Sequence, residues 1–444
     1  MPPGFPARRA ALRLLDAVLR RGETLDIAFG SATGDVRRFE DKALTRAIAS
    51  EVLRWLVDFD ALIDSATKDK LPPDAKVRMV LRMMLAQWLR LDTPPHAVLA
   101  TGLPLLAGGP RRLAHGVFST LAKRQSPLPE GEGPGVGAPA SADGGTPLPN
   151  PSPQGEGLLP HAPTLPPSVA ARWGERAEPI AAGLANPPPL DLSLRDPART
   201  ADLANQLAAD SLMPGRLRLP RGASVEKLPG FAEGEWWVQD LAASLPARLV
   251  GPGANAGEGR HALDLCAAPG GKTLQLAAAG WQVTALDISK RRLELLRDNL
   301  KRTGLKAGIV RADALSWEPR HAFDAILLDA PCTSTGTARR HPDVLHRIGS
   351  RQIEEMVELQ AALLARAATW LKPGGTLVYA VCSLEREEGE QQAAKVELTP
   401  APIAAEELPA GLSPTSEGWL RTDPGMLPEL GGLDGFFIAR WRKA

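Results

Sequence analysis

Beyond Asp240 the chain alternates short apolar runs with amphipathic ones, and each strand-like run ends at or beside an acid or a cysteine. In order they read HALDLC, a glycine turn, KTLQLAAAG, QVTALD, RRLELLRDNLKRTG, GIVRAD, FDAILLDA, IEEMVELQAALLARAATWL and TLVYAVC. Strand and helix in alternation imply a parallel, doubly wound α/β sheet, whose ligand site lies outside the carboxyl ends of its strands. The chemistry is expected along that edge.

The preceding sequence has a different character. Residues 7–123 carry apolar positions at helical spacing, as in ALRLLDAVLRRG, ALTRAIASEVLRWLVDFDALI and KVRMVLRMMLAQWLRL, punctuated by Pro72, Pro73, Pro94 and Pro95. An all-α domain is expected over 1–125. Residues 126–165 are rich in Pro, Gly, Ser and Ala and poor in large apolar side chains, so they read as a disordered, dispensable linker. A helix over 167–184 and mixed strands and turns follow, giving a small α+β connecting or RNA-binding subdomain at 166–240 and the α/β domain at 241–444.

Net charge is +1, but residues 1–125 hold 20 Lys and Arg against 13 Asp and Glu, leaving 32 against 38 for the rest. A basic segment joined to a mildly acidic one suits a polyanion bound by the first, although an Arg-rich composition alone has the same look. No run of about 18 apolar residues occurs, so no membrane span is expected. The opening MPPGFPARRAALRLLD lacks a continuous apolar stretch before a small-residue cleavage site, and three cysteines cannot build a disulfide scaffold. No CxxC or HxxxH spacing supports a metal site. The expected setting is a reducing cytoplasm.

The first strand ends in Asp264-Leu265-Cys266 and enters Ala267-Ala268-Pro269-Gly270-Gly271-Lys272-Thr273 before a helix. Paired glycines admit close backbone approach, yet the run is neither GxGxxG nor GxxxxGK[ST], so a dinucleotide or triphosphate fits poorly. Asp287, sixteen positions after Gly271, ends the next strand where an acid can accept from ribose hydroxyls. Asp313 ends the third run, placed toward an adenine edge. Singly each Asp reads equally as a loop cap; together with the glycine turn they point to an adenosyl ligand, and S-adenosylmethionine needs no phosphate cradle.

Cys266, Cys332 and Cys382 all fall at strand carboxyl ends. A thiol there has a use if the methyl acceptor is C5 of a pyrimidine: addition at C6 with protonation at N3 makes C5 nucleophilic. Asp329 is the natural acid at N3. The [DNS]-P-P-[YF] run of an exocyclic-amine methyltransferase and a GxSxG elbow are absent. His341 and His346 read as surface or phosphate-contacting groups. Spacing alone leaves open which thiol attacks.

LDLCAAPGGKT, LDISKRRLELLRDNLKRTGL, FDAILLDAPCTSTGTARRHPDV and LKPGGTLVYAVCSLEREEGE, with LPGFAEGEWWVQDLAA upstream and DGFFIARW near the C-terminus, resemble the Sun/NSUN family of RNA cytosine-5 methyltransferases. Residues 7–124 resemble the NusB-like RNA-binding domain that precedes the catalytic part in RsmB-type 16S rRNA enzymes. The resemblance implies a Rossmann-like class I methyltransferase, doubly wound and mostly parallel, behind an all-α NusB-like domain. It implies that residues 266–272, Asp287, Asp313 and Asp329 bind S-adenosylmethionine, that Cys382 is the nucleophile and that Cys332 assists product release, with Cys266 serving the cofactor loop. The implied partner is 16S ribosomal RNA, free or in an assembling subunit, and the implied state a monomer. Basic side chains of the helical domain, with Arg339 and Arg340, are expected to hold the RNA backbone.

Val381 stands where that family usually has Thr, Thr333 where Ser follows Pro-Cys, and Gly389 where Asn is common. A different reading is an RNA-binding assembly or transcription factor with a vestigial methyltransferase fold, which retention of both thiols and Asp329 opposes. A third is the same chemistry on tRNA or another RNA, which the NusB-like domain disfavours.

Overall fold

The computed structural model describes residues 4–125, 157–222, 224–255 and 258–444. The chain separates into two units, Met1–Pro166 and Pro167–Ala444.

Helical periodicity in the first unit becomes α1 (Phe5–Arg21), α2 (Leu25–Ala32), α3 (Phe39–Arg54), α4 (Leu56–Ser65), α5 (Lys76–Arg90), α6 (Pro95–Gly102) and α7 (Gly108–Gln125). α5 is the central element, packing on α1, α3, α4, α6 and α7. Its Val80, Leu81, Met84 and Leu85 are fully buried, as its apolar pattern requires. The run expected as one helix over residues 43–63 breaks at Trp55, whose backbone leaves helical geometry (φ −108°, ψ 23°) while its indole is buried. A bulky ring drawn inward outweighs helical continuity there.

Part of the basic surplus is internal. Arg8, Arg54, Arg78 and Arg82 are all buried, and Arg82 grips Asp60 with two bonds of 2.8 and 2.7 Å while Arg78 reaches Asp60 at 3.0 Å. Such cations hold helices together and are not free for a polyanion.

Most of the expected linker, residues 126–156, lies outside the described residues. Its last part does not: Thr164 donates its N–H and its hydroxyl to the Asp58 carboxylate at 2.9 and 2.6 Å, and Leu165 is buried.

The second unit opens with the region expected as a helix over 167–184, which is Pro167–Trp173, a 3-10 turn and Ala177–Leu184. Gly174, at φ +52°, interrupts it. Next comes an antiparallel sheet of β1 (Leu190–Leu194), β2 (Asp210–Met213), β3 (Arg216–Leu219) and β4 (Trp236–Val238), in the order β2-β3-β1-β4. After the short pair β5 (Ala254–Asn255) and β6 (Glu258–Gly259) come β7 (His261–Leu265), β8 (Gln282–Asp287), β9 (Gly308–Arg311), β10 (Phe323–Asp329), β11 (Leu371–Val381), β12 (Thr399–Pro400), β13 (Leu420–Thr422) and β14 (Phe436–Arg442).

The large sheet runs β12-β14-β11-β10-β7-β8-β9, with β13 also paired to β14. From β11 to β9 all pairings are parallel, and β14 is antiparallel. The parallel strands are apolar because helices cover both faces: Leu263, Ile326, Leu328 and Leu377 are fully buried. Strand order reverses between β7 and β10, so a crevice opens at the carboxyl ends of those two strands. No helix among the described residues is long and apolar enough to cross a membrane.

Replacing Asp58 with Ala removes both acceptors of Thr164. We expect a loss of about 1–3 kcal/mol in urea unfolding and faster amide exchange at Thr164; unchanged exchange at that residue contradicts the contact.

Candidate active site

The turn after β7 is built around backbone that side chains disfavour. Cys266 sits at φ +60° and Gly270 at φ +108°, just before the helix Gly271–Ala278. A Cβ on Gly270 would lie 2.2 Å from Leu296 Cδ1, whereas one on Gly271 would meet nothing closer than Gln239 at 3.4 Å. Only the first glycine is sterically required.

Two buried acids support this turn. Asp287 at the end of β8 is buried and accepts the Ala268 N–H at 3.1 Å and the Ser289 N–H at 2.8 Å. Asp264 is fully buried; its Oδ2 accepts the Thr273 hydroxyl at 2.5 Å, and its Oδ1 has no hydrogen-bond partner. Burial pushes the Asp264 carboxyl up to about 7. The crowding at Gly270 comes from the Leu296 side chain, which packs this turn against the helix Lys290–Thr303. Asp313 is exposed, two residues past β9, where its Oδ1 accepts the Leu315 N–H at 2.9 Å.

Residues Ala267–Lys272 and Asp329 share a cavity of about 380 Å³ with Trp237, Gln239, Asn299 and Arg302. Asp287 and Asp313 lie outside its lining. The structure thus brings the glycine turn to Asp329, while Asp287 shapes that turn from behind and Asp313 stands apart on the surface.

Cysteine geometry follows from strand register. Asp329 of β10 is opposite Ala380 of β11, so the two chains leave the sheet side by side toward Cys332 and Cys382. Their sulfurs are 3.4 Å apart, and Ser334 Oγ lies 3.5 Å from Cys382 Sγ and 3.8 Å from Cys332 Sγ. Lys272 Nζ donates to Asp329 Oδ2 at 2.8 Å and stands 5.3 Å over the Phe436 ring.

The hydrogen bond from the Cys332 thiol lowers the Cys382 thiol below the ordinary cysteine value, with the Ser334 hydroxyl and the Lys272 ammonium adding to it. Cys332 moves the other way, raised by its bond to Cys382, by burial and by the Glu388 charge. Cys266 is pushed up to about 12 by burial and by the nearby Asp329, Asp287 and Asp264. Of the three, Cys382 is the one placed to be a thiolate. Lys272, expected only as part of the cofactor turn, also pairs Asp329 and acts on the nucleophile candidate.

Sequence reasoning missed a buried set behind the thiols. Glu388 is fully buried, and its Oε2 accepts the Thr333 N–H at 2.9 Å and the Gln360 amide at 2.8 Å. Its Oε1 accepts the Ser383 hydroxyl at 2.6 Å and the Thr333 hydroxyl. Within LEREEGE both Glu385 and Glu388 turn inward, and nothing in the run itself marks them.

The departures noted in the sequence acquire reasons. Thr333 supplies the same hydroxyl that Ser would. Val381 is fully buried among apolar side chains of the sheet. At Gly389 a Cβ would lie 2.4 Å from Arg421 Nη2 and 2.8 Å from the Phe437 ring, so a small residue lets Arg421 lie over Phe437 and bond the Ser383 carbonyl.

The expectation that Arg339 and Arg340 hold RNA phosphates is corrected. Arg339 is buried and bonds the Gly431 carbonyl, while Arg340 is paired to Asp240 at 2.8 Å and Asp434 at 3.0 Å. Their charges are consumed in a buried network that ties the β10 loop to β14's approach.

Gly270→Ala is expected to weaken S-adenosylmethionine binding at least about tenfold, from a disfavoured φ plus a clash with the Leu296 side chain. Gly271→Ala should change it by no more than about twofold. Calorimetric titration checks both, and equal effects contradict the assignment of the crowded turn.

The family description 16S rRNA methyltransferase RsmB/F matches residues 254–442, and the NusB family matches residues 6–105. Ribosomal RNA small subunit methyltransferase B of Klebsiella pneumoniae subsp. pneumoniae is 33% identical, covering 100% of this chain and 99% of the relative. A methyltransferase homolog from Pyrococcus horikoshii is 28% identical with a TM-score of 0.52, covering 62% of this chain and 93% of that one. NSun6 of Pyrococcus horikoshii, at 22% identity and TM-score 0.53 over 63% of this chain and 98% of its own, shares the fold. With the glycine turn, the strand order and a relative matched end to end, this chain belongs to the RsmB/F family of 16S rRNA methyltransferases.

Proposed function

We propose that this chain methylates C5 of a cytosine in 16S ribosomal RNA through a covalent bond between Cys382 and C6. Family membership makes it an S-adenosylmethionine-dependent RNA methyltransferase acting on small-subunit ribosomal RNA. The observation that supports the residue roles is the pair of thiols 3.4 Å apart beside the Lys272–Asp329 ion pair.

Cytosine C5 does not attack a methyl donor unaided. Cys382 thiolate adds to C6 while N3 takes a proton, which converts C5 into the nucleophilic end of an enamine. S-adenosylmethionine supplies the electrophilic methyl group. Loss of the C5 proton to water, expulsion of Cys382 and return of the N3 proton then restore the ring. Asp329 hands N3 the proton it draws from the Lys272 ammonium and takes it back as the ring is restored. Cys332, held as a thiol, protonates or relays to the departing Cys382 sulfur. Residues 266–272 and Asp329 hold the cofactor at the cavity that residues 267–272 and Asp329 line, and Asp287 and Asp313, outside that lining, are assigned to its ribose and adenine edges.

The helical region at 1–125 serves as the RNA-binding domain, with exposed Arg37, Arg38, Arg111 and Arg112 contacting phosphates and the target base leaving its stack. Residues 126–165 join it to the subdomain at 166–240 and the catalytic domain at 241–444. The enzyme acts as a cytoplasmic monomer on free RNA or an assembling subunit.

Cys382→Ala abolishes 5-methylcytosine formation, while Cys332→Ala accumulates a protein–RNA adduct that survives denaturation; methylation by Cys382→Ala at the wild-type rate overturns the assignment. Activity rises with pH as the Cys382 thiol ionises, starting below the ordinary cysteine range of about 8.5. Removing the neighbouring ammonium in Lys272→Met disfavours the thiolate, so that rise moves to higher pH; a shift to lower pH contradicts the electrostatics described.

A further inference from the structure

One buried carboxylate reaches both cysteine loops. Cys332 lies between Pro331 and Thr333, and Cys382 is followed by Ser383. The residue after each cysteine donates to Glu388: Thr333 through N–H and hydroxyl, Ser383 through its hydroxyl at 2.6 Å. The residue before Cys332 is tied in as well, because Gln360 Nε2 donates both to the Pro331 carbonyl at 2.9 Å and to Glu388 Oε2 at 2.8 Å. Glu388 is itself fixed: its carbonyl accepts the Tyr379 hydroxyl at 2.6 Å, and Tyr379 is a fully buried residue of β11.

Burying a carboxylate without a cationic partner is unfavourable unless several donors compensate it. Glu388 meets that condition with four donor groups drawn from three segments: the β10 loop, the β11 loop and the helix Ser350–Thr369. A carboxylate with that donor set sees little water and no substrate. Its effect on chemistry passes through the loops it holds.

We propose that Glu388 is a positioning residue for methyl transfer, clamping the two cysteine loops so that Cys332 and Cys382 meet at hydrogen-bonding distance. This rests on the two-cysteine reading above. Hydrogen bonds fix Thr333 and Ser383, and those neighbours fix the two sulfurs. The negative charge lies on the Cys332 side and keeps that thiol protonated, as a donor to Cys382. The groups facing the pair are Lys272 at the cofactor turn, Asp329 at the end of β10, Ser334 in the β10 loop and Tyr379 of β11. A single side chain thus holds the pair asymmetric.

The test is Glu388→Gln in the full chain, which keeps size and hydrogen-bonding atoms but removes the charge and turns one acceptor into a donor facing other donors. Two readouts are compared with wild type. The first is steady-state methylation of 16S RNA, where we expect kcat to fall about 10- to 100-fold, the scale of hydrogen bonds to charged groups, with the KM for S-adenosylmethionine within about twofold. The second needs no RNA: iodoacetamide alkylation against pH, read separately on the Cys332 and Cys382 peptides by mass spectrometry. Losing the charge lets Cys332 ionise more easily, so its alkylation moves to lower pH. A merely structural glutamate would lower the active fraction, and with it the apparent kcat, but would leave the Cys332 alkylation profile where it is.

Methylation within twofold of wild type together with an unchanged Cys332 profile overturns the proposal. If Glu388→Gln does not fold, Thr333→Val and Thr333→Ser replace it: Val removes only the hydroxyl donated to Glu388, and Ser restores it. Loss of kcat in Val with recovery in Ser supports the clamp, and equal activity in both overturns it. Should wild type transfer no methyl at all, the proposed function fails, and the alkylation profile still decides the clamp.

Discussion

The parallel register of β10 and β11 is the constraint on which the rest of this enzyme depends. Asp329 opposite Ala380 sends two loops off the sheet at the same height, and no other pairing would put thiols fifty residues apart in sequence within 3.4 Å. A shift of one residue would turn every side chain of a strand to the other face and carry its cysteine away from the site. Register here is held by burial on both faces, since Leu327, Leu328, Val378 and Tyr379 are all fully buried. Packing energy far from the chemistry is therefore what sets the distance between the reacting groups.

Around that frame the electrostatics are arranged by neighbours rather than by bulk charge. Lys272 lies on the cofactor turn, Asp329 on β10 and Glu388 beyond β11, so one positive and two negative groups surround the thiols from different elements. The ammonium favours a thiolate on Cys382, and the Glu388 carboxylate favours a thiol on Cys332. Cys266, near three acids and buried, is held protonated and is left to shape the turn. The same polar chemistry that binds the cofactor turn to Asp329 thus differentiates three residues of one type.

Much of this was legible in the sequence because parallel strands buried on both faces must be nearly continuous apolar runs, and FDAILLD and LVYAV leave little choice. The glycine turn and the acids at strand ends were legible for a similar reason: they punctuate those runs. What escaped is decided by long-range packing. Trp55 ends a helix because its ring is drawn into the core, and Gly174 splits another by turning to positive φ. Arg339 and Arg340 look like RNA contacts in HPDV-flanking sequence, yet Asp240 and Asp434, remote in the chain, claim them. Glu388 sits in an acidic run whose exposed and buried members cannot be told apart by composition. In each case the missing partner lies on another element.

The central claim is that Cys382, and not Cys332, bonds to the cytosine. It is tested most directly by incubating the enzyme with S-adenosylmethionine and 16S RNA containing 5-fluorocytidine, where fluorine at C5 cannot leave as a proton does and the bond to C6 persists. Digestion and mass spectrometry of the trapped complex identify the attached peptide. The account predicts attachment at Cys382; attachment at Cys332 would contradict it.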